Sequence, residues 1–201
     1  MTSETTYGFD TLQIHAGARP DPATGSRQTP IYQSTAFVFR DADHAAALFN
    51  LQEVGYIYSR LTNPTVAVLQ ERIATLEGGV GAVCCSSGHA AQIMALFPLM
   101  QPGRNVVVST RLYGGSITQF SQTIKRFGWG AKFVDFDDLD AVKAAIDDDT
   151  RAVFCESIAN PGGYITDLPA ISALSDEAGL PLIVDNTSAS AYLCRPIEHG
   201  A

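Results

Sequence analysis

The sequence predicts an α/β fold, a three-layer α/β/α arrangement built on a mainly parallel sheet. Short apolar runs alternate with helical patterns, and each interval is long enough for a helix to return the chain to the same edge of the sheet. The predicted strands are Gly81–Cys85, Asn105–Ser109, Lys132–Phe136, Arg151–Cys155 and Pro181–Val184. The predicted helices between them lie near residues 89–98, 116–127, 138–146 and 168–178.

The first part of the chain has a different composition. Residues 1–60 are rich in Pro, Gly, Thr and Asp, which favours an extended arm with one short helix at Asp41–Phe49. A longer helix is expected after Asn63, a suitable cap that is followed by Pro64, and it should end near Gly78. Its apolar residues share one face: Val66, Leu69, Ile73 and Leu76.

Composition excludes several classes of protein. A hydrophobic fraction of 46% over 201 residues can form a substantial core, and the net charge of −8 disfavours nucleic acid as a partner. The first residues lack the pattern of a signal peptide, and no apolar stretch is long enough to span a bilayer, so we expect a cytoplasmic protein without a membrane partner. The four cysteines show no C-x-x-C spacing and are expected to be reduced. The acidic clusters at 135–140 and 147–149 have no histidine nearby, so no metal site is predicted.

Small and polar residues follow the predicted strands, at the edge where ligands gather in such sheets. Ser87, Gly88 and His89 lie where a strand turns into a helix, so free amides there could bind a phosphate, although a tight turn with a serine cap fits equally well. Asp185 ends a buried strand and needs a positive partner, such as a protonated pyridine nitrogen, unless it caps the following segment.

Three further motifs point to the same edge. Tyr113 precedes two glycines and could stack on a flat cofactor, and Asn160 could donate to a phenolate oxygen. Tyr58 and Arg60 could clamp a phosphate. Each motif alone also has a simpler interpretation, as an ordinary turn or a surface arginine.

Taken in order, these motifs resemble the Cys/Met metabolism family of fold-type I enzymes that use pyridoxal 5′-phosphate (PLP), over about residues 9–201. The resemblance implies that PLP is bound by Tyr58, Arg60, Ser87, Gly88, His89, Tyr113, Asn160, Asp185 and Thr187. Within that set, Tyr113 and Asp185 are the expected catalytic residues, stacking on the ring and pairing with its nitrogen. Tyr58 and Arg60 would reach the phosphate of a neighbouring subunit, so the resemblance also implies a homodimer or homotetramer.

The resemblance also implies a reaction. Segments at 9–17, 21–27 and 44–49 are most similar to family members that replace the acetate of O-acetylhomoserine with sulfide or a thiol, giving homocysteine or methionine. Alternatives are cystathionine γ-synthase, a γ-lyase, and a non-catalytic half-protein that acts through dimerisation. Gly115 stands where methionine γ-lyases usually carry a cysteine, which disfavours that member of the group.

One element of the family pattern is missing. The Schiff-base lysine lies in a Ser-x-Thr-Lys stretch that the family places shortly after the position of Ala201, and none of Lys125, Lys132 and Lys143 has that context. We therefore expect residues 1–60 to be an assembly arm, residues 61–201 to be an incomplete PLP-binding large domain, and the C-terminal domain to be absent. The fragment alone is expected to be inactive.

Overall fold

The chain forms two compact units. The structure, a computed structural model, describes residues 7–201. One unit ends at Cys84, and the other runs from Cys85 to Ala201 and contains the sheet. Within the described residues, every helix is too short or too polar to cross a membrane.

The helices of the first unit, within residues 7–84, are α1 (Phe9–His15), α2 (Ala42–Phe49) and α3 (Pro64–Glu77). Helices α2 and α3 confirm the prediction, whereas α1 was not predicted. Helix α1 has only seven residues and no buried side chain, so its apolar pattern is too short to be a clear helix signal. The expectation that residues 1–60 are an arm for assembly stays a prediction.

Helix α3 begins and ends as its sequence predicts. The Asn63 side chain accepts a hydrogen bond of 2.9 Å from the Thr65 amide, and Gly78 closes the helix with a φ of 75°. Of the predicted apolar face only Leu76 is buried. The other members of that face are between 39 and 50% exposed: Val66, Leu69 and Ile73.

The second unit is built on a four-stranded sheet in which every neighbouring pair is parallel. The strand order is β2-β1-β3-β4, with β1 (Asn105–Ser109), β2 (Gly130–Val134), β3 (Thr150–Glu156) and β4 (Leu182–Asp185). This confirms the predicted α/β class. Because the strands are parallel, their carboxyl ends share one edge.

Five α-helices within residues 85–201 accompany the strands. They are α4 (Gly88–Leu96), α5 (Gly114–Thr118), α6 (Leu139–Ala145), α7 (Leu168–Glu177) and α8 (Ser190–Leu193). Helix α4 precedes β1, helices α5, α6 and α7 connect successive strands, and α8 follows β4. Helix α5 continues without a break into a π-helical turn at Gln119–Thr123 and a 3₁₀ turn at Ile124–Phe127. A further 3₁₀ turn spans Pro196–His199. The single helix predicted for residues 116–127 is therefore three segments.

Two hydrophobic clusters cover the two faces of the sheet, since successive strand residues point to opposite sides. One contains Leu96, Val106, Val108, Phe120, Ile124 and Phe154. The other contains Val107, Val142, Val153, Cys155, Leu168 and Ile171. Helix α4 and the two turns that continue α5 thus pack on one face and α6 and α7 on the other, which confirms the three-layer prediction.

Two strand predictions need correction. Residues 81–85 do not form a strand, because no described residue pairs with them and a strand requires a hydrogen-bonded neighbour. The strand predicted at residues 132–136 starts two residues earlier and ends at Val134. The reason is that the Asp135 side chain accepts from the Asp137 amide at 3.1 Å and turns the chain there.

Candidate active site

A polar cleft of about 380 Å³ lies at the carboxyl ends of the strands in the second unit. It is lined by Ser87, Gly88, His89, Gln92, Tyr113, Ser116, Glu156, Ile158, Asn160, Asp185, Thr187 and Ser188. Seven of the nine residues predicted to bind the cofactor are in this set. The structure therefore brings them together, while their individual roles stay predictions.

One end of the cleft is the N-terminus of helix α4. The Ser87 hydroxyl caps the helix by accepting from the Ala90 amide at 3.2 Å. The amides of Gly88 and His89, in the first turn, have no carbonyl within the helix to bind. A Cβ built on Gly88 would meet no atom within 4 Å, so the space beside these amides is open. Such a helix end suits an anion, a phosphate in particular.

Asp185 ends β4 and faces the same cleft. Its Oδ1 accepts from the Thr187 amide at 3.0 Å and from the Thr187 hydroxyl, and its Oδ2 accepts from Gln92 Nε2 at 3.1 Å. Asp185 therefore does cap the following segment, as one of the two interpretations held. No lysine or arginine is among the described residues that line the cleft, so a cationic partner for this carboxylate would come from a ligand or from elsewhere.

Glu156 is a second carboxylate at the strand ends, only 5% exposed. Its Oε1 accepts from the Tyr113 amide at 2.7 Å, and its Oε2 accepts from the Asn160 amide at 2.9 Å. Two loops are thus anchored to one buried group. Glu156 thereby fixes the backbone at Tyr113 and Asn160, the two residues expected to lie near a cofactor ring.

Tyr113 lies close to His89 in the cleft. Their ring centroids are 6.0 Å apart with an interplanar angle of 25°. A Cβ built on Gly115 would come within 2.6 Å of the His89 ring and 2.6 Å of the Tyr113 ring. Glycine at position 115 is therefore what allows the two rings to occupy their places.

Sequence reasoning missed a buried amide network behind the cleft. Gln92 Nε2 donates to Ser116 Oγ at 2.9 Å as well as to Asp185, and Gln119 Nε2 donates to Gln92 Oε1 at 2.8 Å. Gln92, Ser116 and Gln119 are all buried. A signal did exist for Gln92, which is a polar residue within the otherwise apolar run of α4.

Tyr58 and Arg60 lie in the first unit. The Arg60 guanidinium carbon is 5.4 Å from the centroid of the Tyr58 ring, within the range of a cation–π contact. Tyr58 also forms an antiparallel bridge with Ala36. The two side chains are therefore neighbours, as a phosphate clamp requires, and that role stays a prediction.

The parallel sheet and its polar cleft define an α/β protein with a ligand site outside the carboxyl ends of the strands. A family model described as Cys/Met metabolism PLP-dependent enzyme matches residues 10–201. The chain belongs to this family.

Relatives and solved structures agree with that assignment. The chain is 48% identical to a sulfhydrylase of Fusarium oxysporum f. sp. lycopersici, over 100% of this chain and 47% of that protein. It is 50% identical to a homocysteine synthase of Schizosaccharomyces pombe, over 96% of this chain and 45% of that protein. The chain thus spans about half the length of these relatives.

A crystal structure from Campylobacter jejuni subsp. jejuni is similar with a TM-score of 0.94 and 43% identity, covering 98% of this chain and 48% of that one. It is described as an O-acetylhomoserine (thiol)-lyase with N′-pyridoxyl-lysine-5′-monophosphate. The likeness confirms the expected fold-type I architecture.

Proposed function

We propose that the cleft of the second unit binds PLP. The phosphate would lie at the Gly88 and His89 amides, Tyr113 would stack on the ring, and Asn160 would lie near the phenolic oxygen. The carboxylate of Asp185 would hold the proton of the pyridine nitrogen. Ser87, which caps α4, and Thr187, which donates to Asp185, would bind the cofactor at the two ends of the cleft.

The observation that carries this proposal is the charge pattern of the cleft. A helix N-terminus suited to an anion and a carboxylate lacking a basic side-chain partner line the same cleft. PLP matches both, because its phosphate is anionic and its protonated ring nitrogen is cationic. The family match makes this ligand the natural choice over other molecules with the same polarity.

We further propose that the complete gene product replaces the acetate of O-acetylhomoserine with sulfide or a thiol, giving acetate and homocysteine or methionine. Relatives named as a sulfhydrylase and a homocysteine synthase support this assignment. Bound PLP would supply an electron sink that stabilises negative charge on the amino-bearing carbon when its proton is removed. Asp185 contributes by keeping the ring nitrogen protonated, and Tyr113 contributes by holding the ring flat against the cleft wall.

The lysine that would anchor PLP is not one of this chain's three lysines. None of them lines the cleft: Lys132 Nζ contacts Asp147 and the Ala145 carbonyl, and Lys143 contacts Glu177 at 2.7 Å. Activity is therefore proposed for the complete gene product and not for residues 1–201 alone. We also propose a cytoplasmic location and a homodimer or homotetramer. In that assembly, residues 1–60 would form an assembly arm, and Tyr58 and Arg60 would reach the site of a neighbouring subunit.

The test is to incubate the purified complete gene product with PLP, O-acetylhomoserine and sulfide. Homocysteine and acetate in equal amounts are the expected products. Formation of 2-oxobutyrate and ammonia instead would assign a γ-lyase. A protein that carries no cofactor absorbance after excess PLP has been removed would refute the cofactor assignment itself.

A further inference from the structure

Behind the candidate cofactor site, a chain of hydrogen bonds runs from Gln119 through Gln92 to Asp185. Gln119 Nε2 donates to Gln92 Oε1 at 2.8 Å, and Gln92 Nε2 donates to Asp185 Oδ2 at 3.1 Å. The second donor hydrogen of each amide is also used, by Ser116 Oγ at 2.9 Å and by the His89 carbonyl at 3.3 Å. Each of the two amide nitrogens therefore has two acceptors.

The direction of this chain is fixed at both of its ends. An ionised carboxylate can only accept, so the Gln92 group that faces Asp185 must be the amino group, which leaves the Gln92 oxygen toward Gln119. A backbone carbonyl can also only accept, so the Gln119 group that faces His89 must be its amino group. These two independent requirements give the same orientation for both side chains.

The chain is well protected from water. Gln92 is 6% exposed, Gln119 is 8% exposed and Ser116 is 1% exposed. Hydrogen bonds in such surroundings are stronger than in water, and leaving one unmade is more costly. Gln119 begins the π-helical turn of Gln119–Thr123, a kind of local irregularity that often accompanies functional sites.

We propose that Gln92, oriented by Gln119, is a positioning residue that holds the Asp185 carboxylate in the orientation needed to meet the cofactor's ring nitrogen. The inference rests on the proposed function of the cleft. Thr187 binds Oδ1 and Gln92 binds Oδ2, so both oxygens are held and the carboxylate cannot rotate freely. Its remaining acceptor capacity is then available to a cation in the cleft.

The test measures the dissociation constant of PLP for the complete gene product by absorbance titration after removal of the cofactor. Gln92→Leu removes the donor to Asp185 and should raise the dissociation constant about tenfold, as expected for one lost hydrogen bond to a charged group. Gln122→Leu is the matched control, because Gln122 is an exposed glutamine on the helical run that carries Gln119, and its loss should leave the constant unchanged.

Gln119→Glu provides an independent test with almost no change of shape. A glutamate at 119 cannot donate, so Gln92 is expected to turn its amino group toward the new carboxylate and its oxygen toward Asp185. The dissociation constant should rise at least as far as in Gln92→Leu, and further than in Gln119→Leu, which removes the orienting group without reversing it. Circular dichroism and thermal unfolding without cofactor check that each variant is folded.

A double-mutant cycle separates positioning from general structural support. In an Asp185→Asn background, Gln92→Leu should change PLP affinity by less than about twofold, because the group through which Gln92 acts is gone. An equal loss in both backgrounds would overturn the inference, as would wild-type affinity in folded Gln92→Leu and Gln119→Glu. If the wild-type protein itself fails to bind PLP, the proposed function falls and the inference falls with it, whereas normal wild-type binding with insensitive variants overturns the inference alone.

Discussion

Glu156→Gln offers a direct measure of how the loops at the cleft are held. The carboxylate is 5% exposed and accepts two backbone hydrogen bonds, of 2.7 Å from the Tyr113 amide and 2.9 Å from the Asn160 amide. A glutamine has almost the same shape but only one oxygen. Whichever way its amide turns, one backbone N–H will face an amino group instead of an acceptor.

The expected loss follows from that count. One hydrogen bond to a charged acceptor is removed and one buried donor is left unpaired, which together cost about 2 to 3 kcal/mol in the free energy of unfolding. Guanidinium-induced unfolding of the complete gene product without cofactor measures this value. Because the change also loosens Tyr113 and Asn160, PLP affinity should fall in the same variant.

Glu177→Gln is the matched control. Its carboxylate is exposed and pairs with Lys143 at 2.7 Å on the surface, so the same substitution should cost less than about 0.5 kcal/mol. The reasoning is refuted if Glu156→Gln unfolds within about 0.5 kcal/mol of Glu177→Gln, since both substitutions would then be equivalent surface changes.

Three other predictions follow from single features of the chain. Gly115→Ala should weaken PLP binding several-fold in an absorbance titration, because a Cβ there comes within 2.6 Å of two rings, whereas Gly114→Ala should not, because its Cβ meets no atom within 4 Å. Burial raises the pKa of the Cys155 thiol from 9.0 to about 12, so unfolding between these pH values releases a proton from this thiol. The free energy of unfolding, measured across that pH range, should therefore fall as the pH rises, and it should fall less steeply in Cys155→Ala. In the proposed dimer, Arg60 of one subunit reaches the site that contains Asp185 of the other. The Arg60→Ala and Asp185→Ala proteins should therefore each be inactive alone and regain activity after subunit exchange, because the mixed dimer would contain one site with both residues intact. Homocysteine formation measures this activity.

Each of these has a clear contrary result. Equal PLP affinity of the Gly115 and Gly114 variants would show that the rings can move aside at no cost. Identical pH slopes for wild type and Cys155→Ala would remove this thiol from the alkaline titration. No regained activity on subunit exchange would refute the shared site and place Arg60 with its own subunit or outside the site.

The sheet could be predicted because its strands are buried on both faces. The run Asn105–Ser109 contains three consecutive valines, and every one of its residues is buried. Residues 81–85 look similar in sequence, yet they find no described neighbour to pair with. Apolar composition indicates where a strand could form, whereas hydrogen-bonded pairing depends on residues distant in the chain.

The cleft could be predicted for a related reason. Strand ends in a parallel sheet converge whatever their separation in sequence, so Tyr113, Asn160 and Asp185, at or after the ends of β1, β3 and β4, could be assigned to one edge before any distance was known. The Gln92 and Gln119 contact could not be assigned in that way. It joins side chains on two helices, and it depends on how those helices pack and on the π-helical turn, neither of which has a local signal here.

The two acids at the strand ends show why position alone does not assign a role. Glu156 and Asp185 occupy corresponding places at the ends of paired strands β3 and β4. Glu156 is buried, and each of its carboxylate oxygens accepts a hydrogen bond from a backbone amide, so this carboxylate holds two loops in place. Asp185 accepts hydrogen bonds from Thr187 and from the side-chain amide of Gln92, which Gln119 orients. It faces a cleft that no described lysine or arginine lines. The partners of each carboxylate therefore make Glu156 a structural anchor and leave Asp185 with acceptor capacity toward the cleft, as its proposed contact with a protonated ring nitrogen requires.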